Sequence, residues 1–143
     1  MLRAYTYIIK KIMKPEKNLG IWMDHQSAHI MEFTTDPIGT QTVANKFTHE
    51  VKEDALDKGE GLMHHKEQQE TGAYYKELGE VIRAYDQVIL FGPTEAKVEL
   101  YNRLKRDHHF DQINIKIEPA DKMSTNQQHA FVKAYFSNRL SLI

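Results

Sequence analysis

The segment Val88-Ile-Leu-Phe-Gly-Pro-Thr-Glu-Ala-Lys97 constrains this chain most. Four consecutive apolar residues, Val88 to Phe91, are what a strand covered on both faces needs. Gly92-Pro93 then breaks the strand, and Pro93 suits the first position of a helix. A strand that turns sharply into a helix makes a rigid corner, and α/β proteins commonly place function at such corners. A second strand, Ile113-Asn-Ile-Lys-Ile117, alternates apolar with polar residues and should be half exposed. After it, Ser124-Thr-Asn-Gln127 fits a capping box that opens a last helix, expected to bury Phe131, Ala134 and Tyr135.

Before the corner the chain reads as a meander. Leu19-Gly-Ile-Trp-Met-Asp24 and Ser27-Ala-His-Ile-Met-Glu-Phe33 are paired strand candidates joined at Asp24-His-Gln-Ser27. Asp36-Pro-Ile-Gly39 predicts a turn and residues 40–47 a third strand. Residues 48–61 are polar with weak periodicity and predict a long mobile loop. A helix follows over 62–85, with Tyr74, Leu78, Val81, Ile82 and Tyr85 on one buried stripe. Ala96, Leu100 and Leu104 should face inward from the helix after Gly-Pro, with Glu95 at its start and Arg103, Lys105 and Arg106 at its end complementing the dipole. The order β-β-β-α-β-α-β-α predicts an α/β, ribonuclease-H-like mixed sheet in one domain over 19–143. Residues 1–18 form an N-terminal extension, either a helical or disordered arm or, if Met13 is the true start, partly an upstream addition.

The 143 residues carry a net charge of −1, so nucleic acid would have to be held by a local patch. With no cysteine there are no disulfides, no thiolate catalysis and no zinc–thiolate site. No apolar run reaches the ~20 residues of a membrane span, and the expected location is the cytoplasm.

Catalytic motifs are missing: there is no G-x-S-x-G, no phosphate loop and no dinucleotide fingerprint. Asp24 ends the first strand, where a metal-dependent nuclease of this fold would hold an acid, but the fourth strand offers no carboxylate partner. Asp24 therefore reads first as a turn-former. The His64-His65 and His108-His109 pairs diverge by about 100° on a helix and do not converge on a metal. No cofactor or metal is expected. A basic cluster is more credible: Lys97, Arg103, Lys105 and Arg106 around the Gly-Pro helix, with Lys122 in the next loop. It suits either phosphate-backbone contact or a solvated helix end.

The residues from Val88 to Lys97 with Leu100, and Ala120-Asp-Lys-Met-Ser-Thr-Asn-Gln127, resemble the bacterial relatives of the central domain of archaeal and eukaryotic release factors and Pelota. The likeness is clearest over 59–136, and Gly20-Ile-Trp-Met-Asp-His-Gln-Ser-Ala-His-Ile30 resembles that family's first hairpin. Release factors carry Gly-Gly-Gln in the loop before the long helix; here that place reads Lys58-Gly-Glu-Gly-Leu-Met63, without the Gln. The resemblance implies a non-enzymatic ribosome- or RNA-associated translation factor of the rescue or hibernation type, binding ribosome or structured RNA, without peptide release. Gly59, Gly61, His64, His65 and Lys66 would form an inserted loop. Lys97, Arg103, Lys105, Arg106 and Lys122 would contact RNA, with Asn126 and Gln127 capping the last helix beside them. The alternatives are a metal-dependent nuclease or hydrolase using Asp24, and a homo-oligomeric interaction protein pairing through the edge at Ile113–Ile117.

Overall fold

The computed structural model describes residues 16–33 and 37–141. Strand β1 (Asn18–Met23) is followed by antiparallel β2 (Ser27–Phe33) and β3 (Pro37–Ala44). Two helices come next, α1 (His49–Asp57) and α2 (Glu60–Ile82). Strand β4 (Gln87–Gly92) then runs parallel to β1, and after α3 (Ala96–Lys105) and a 3-10 turn (His108–Phe110), β5 (Asn114–Pro119) runs parallel to β4. Helix α4 (Thr125–Ser141) closes the chain. The strand order β3-β2-β1-β4-β5 is that of a ribonuclease-H-like mixed sheet, as the sequence order predicts.

Alternation along the central strands splits the core into two layers. Leu19, Ile21, Met23, Val88 and Leu90 face α2 and α3, where Tyr74, Leu78, Ile82, Leu100 and Leu104 meet them. Trp22, Met31, Phe33, Ile89 and Phe91 face α4, which contributes Val132 and Phe136. Each aliphatic side chain buried in these layers stabilises the fold by about 1.5–3 kcal/mol. Helix α4 lies close because Gly20 has no side chain: a Cβ there would sit 2.3 Å from a Val132 methyl.

Several sequence expectations need correction. Residues 48–61 are not a mobile loop. Thr48 caps α1 by accepting from the Val51 amide at 3.3 Å, and Ala55 is the helix's one buried residue. A single buried position makes no stripe, so periodicity does not reveal this helix. The long helix runs over Glu60–Ile82 rather than 62–85. The third strand starts at Pro37 and ends at Ala44, so the turn expected at 36–39 is strand from residue 37, with Asp36 outside the described residues. Pro93 is not the first helical residue; α3 begins at Ala96, whose amide donates to the Thr94 hydroxyl.

The capping box at Ser124 forms in both directions, Gln127 amide to Ser124 Oγ and Ser124 amide to Gln127 Oε1. Its helix, however, buries Gln128, Val132 and Phe136 at i, i+4, i+8, while Phe131 and Tyr135 are half-buried and Ala134 is exposed. Most of the expected N-terminal extension, residues 1–15, lies outside the described residues.

Candidate functional site

The C-terminal end of the parallel strands is knit together by polar side chains. Asp24 Oδ1 accepts from the amides of Gln26 and Ser27 at 2.8 and 2.9 Å, which fixes the β1–β2 turn. The Asp24 carbonyl accepts from the Tyr74 hydroxyl on α2. Asn45, buried after β3, bridges the His25 carbonyl and the Thr71 hydroxyl. His25 Nε2 lies 2.5 Å from Glu99 of α3, tying the turn to the helix after the corner. Gly92 makes the corner fit: its φ is +150° and a Cβ would come within 2.0 Å of the Met23 carbonyl oxygen.

Two neighbouring tyrosines of α2 are buried, Tyr74 beneath this end and Tyr75 on the side that faces α3. Burial, then the charge of Asp24, pushes the Tyr74 phenol well above its usual range. Tyr75 is raised as well, by burial first and the Glu99 carboxylate next, with Arg103 partly offsetting both. The Tyr75 hydroxyl is buried without a partner in hydrogen-bonding geometry, although Glu99 stands near it. Asp24 thus serves the turn. Among the described residues no three His, Asp or Glu side chains converge as metal ligands. His25 and His29 do not converge either: His25 turns to Glu99, while His29 stacks on Trp22 and bonds Gln128 on the α4 side.

The five basic residues singled out from sequence do not form one patch. Lys97 is buried, 5% exposed, with its ammonium folded back onto the Thr94 carbonyl. Lys122 is exposed in the segment after β5, at the C-terminal end of the sheet. Arg103, Lys105 and Arg106 sit at the far end of α3, and ten helical residues at ~1.5 Å each put the two ends of that helix about 15 Å apart. There Arg103 lies over the Tyr75 ring at 5.7 Å and Lys105 over the Tyr101 ring at 5.9 Å, on different sides of the helix.

Sequence reading missed the partners at this base. A cleft of about 300 Å³ between α2 and α3 is lined by Lys76, Arg83 and Arg103, with Glu80 and Asp107 on the same rim. The His109 amide, then the His109 ring, hold the Asp107 carboxyl below its usual range, with the Arg83 charge adding to the effect. Lys76 and Arg83 stand seven residues apart, two turns along one face of α2. That spacing was the signal available in the sequence.

The expected inserted loop is a helical hairpin. Gly59 caps α2 at φ +126°, and Gly61, His64, His65 and Lys66 lie in the helix's first two turns. Both histidines are exposed; Lys66 pairs with Glu70 at 3.3 Å and Met63 tucks inward. Gln127 belongs to the capping box of α4, and Asn126 is exposed beside it.

No family model matches this chain, and no curated protein matches it. Among solved structures it is similar to Pelota of Archaeoglobus fulgidus, at 9% identity and a TM-score of 0.55, covering 93% of this chain and 35% of that one. Pelota of Thermoplasma acidophilum gives 14% identity and a TM-score of 0.53, covering 90% and 36%. An archaeal translation termination factor gives 12% and 0.51, covering 96% and 44%. The chain therefore spans less than half the length of each of these three proteins. These likenesses bear out the release-factor and Pelota resemblance at the level of the fold. No helix among the described residues is long and apolar enough to cross a membrane.

Proposed function

We propose that this chain is a translation factor that associates with the ribosome or with structured RNA in the cytoplasm, in a rescue or hibernation role, and that it does not release peptide by a Gly-Gly-Gln mechanism. One observation carries the reading: the whole described domain, not a fragment, shares its fold with Pelota and a translation termination factor. Two local features support it. The base of α2 and α3 gathers Lys76, Arg83, Arg103 and Arg106 around Glu80 and Asp107, so cations outnumber acids there on a chain of net charge −1. The hairpin tip at Lys58, Gly59, Gly61, His64 and His65 is exposed, as an element that inserts into a partner would need to be.

Pelleting purified protein with ribosomes tests the reading. Co-sedimentation is expected at low salt, weakening by roughly 50- to 150-fold between about 50 and 200 mM if four cations each meet a phosphate. Protein that stays in the supernatant at low salt would overturn it.

A further inference from the structure

The two edges of the sheet differ. At β3 the pairing with β2 shifts register between Ile30 and Glu32, and Gly39 sits at φ +58°, irregularities that protect an edge from further pairing. At β5 all six residues from Asn114 to Pro119 pair in unbroken register with β4, and no described residue pairs on the outer side.

The orientation of this free edge follows from its hydrogen bonds. The amides of Asn114 and Ala120 donate inward, to Asp86 and Gly92. Backbone groups alternate sides along a strand, so Ile115, Ile117 and Pro119 present theirs outward. An antiparallel strand centred on Ile117 would exchange both of its bonds with a second Ile117. The Ile115 amide would meet the Pro119 carbonyl of the other copy, leaving only the imino nitrogen of Pro119 without a donor role.

The same register settles the side chains. Lys116 comes opposite Glu118 of the second copy, and Glu118 opposite its Lys116. Both are exposed and neither has an ion-pair partner among the described residues. The half-buried Ile117 meets its own image on the opposite face, beside a groove of about 310 Å³ lined in part by Tyr101, Ile113 and Ile115. Centring on Ile115 would instead set Lys116 against Asn114, and centring on Lys116 would set like charges together. Backbone parity and charge select the same register independently.

We infer that β5 is a pairing edge whose occupant is a second copy of this chain, antiparallel about Ile117, joining two five-stranded sheets into one. Lys105 borders the groove, but the edge carries none of Lys76, Arg83, Arg103 and Arg106, and association of the chain with itself is measured without ribosomes, so this inference stands or falls apart from the translation reading. Sedimentation equilibrium of the full chain should give a mass approaching twice 16.7 kDa as concentration rises. Lys116→Glu sets two glutamates opposite each other at both symmetric positions and should weaken association about tenfold or more. The double variant Lys116→Glu/Glu118→Lys reverses both signs and should restore it. Ile117→Pro removes the two central donors without touching the bonds to β4 and should abolish it. A wild-type monomer at every concentration, or a dimer indifferent to Lys116→Glu, would overturn the inference.

Discussion

At the end of the sheet where β1 and β4 stop, the polar side chains are engaged with the fold itself: Asp24 holds two amides, Asn45 bridges turn and helix, Tyr74 bonds the Asp24 carbonyl, and buried Lys97 bonds the Thr94 carbonyl. At the opposite end Arg83, Arg103, Lys105 and Arg106 are exposed, with no ion pair among the described residues. In many α/β proteins the first end carries the chemistry. Here those polar groups are taken up by the fold, leaving exposed Asp121 and Lys122 beside a cleft at Gly92 and Pro119, while the larger set of free cations lies at the base. The contrast teaches that a corner can identify an architecture while being used up in maintaining it.

The largest effect should come from the corner. Gly92→Ala drives a Cβ into the Met23 carbonyl at a backbone angle that side chains avoid, and should cost about 3 kcal/mol or more in urea unfolding. Next come the sealed tyrosines. Their folded-state values are raised, so the native chain keeps protons that the unfolded chain releases. The stabilisation is complete below about pH 10 and is lost as pH climbs further. Ultraviolet titration should show Tyr74 and Tyr75 ionising only together with unfolding; early ionisation of all the tyrosines would show this end to be open.

Asp24→Ala removes the acceptor for two amides and should cost about 1–2 kcal/mol, whereas Asp24→Asn keeps an acceptor oxygen and should stay within about 0.5 kcal/mol. A large loss in the Asn variant would mean the charge itself matters there. The smallest stability effect belongs to the base: Arg103→Glu with Arg106→Glu should cost under about 1 kcal/mol, mostly the contact over Tyr75.

Much of the fold was legible because strong local signals agree with it. The run Val88 to Phe91 is fully buried, β5 alternates as expected, and the Ser124 capping box forms. Helix α1 was hidden because only Ala55 is buried, leaving the Thr48 cap as its main mark. The phase of α4 was misread because Gln128, which looks like a surface residue, is 1% exposed and bonds both His29 and the Met123 carbonyl. The site was less legible than the fold. Lys97, Lys122 and Arg106 are close in sequence, but a helix and a strand carry them to opposite ends of the sheet, and Lys97 turns inward. Lys76 and Arg83 join Arg103 only through the side-by-side, parallel packing of α2 and α3.

The most direct test compares the two ends in one ribosome-pelleting experiment at low salt. Arg103→Glu/Arg106→Glu should leave the protein folded and in the supernatant, while Lys122→Glu at the opposite end should pellet like the unaltered chain. Equal pelleting of all three proteins, or loss caused by Lys122→Glu alone, would contradict the assignment of binding to the base.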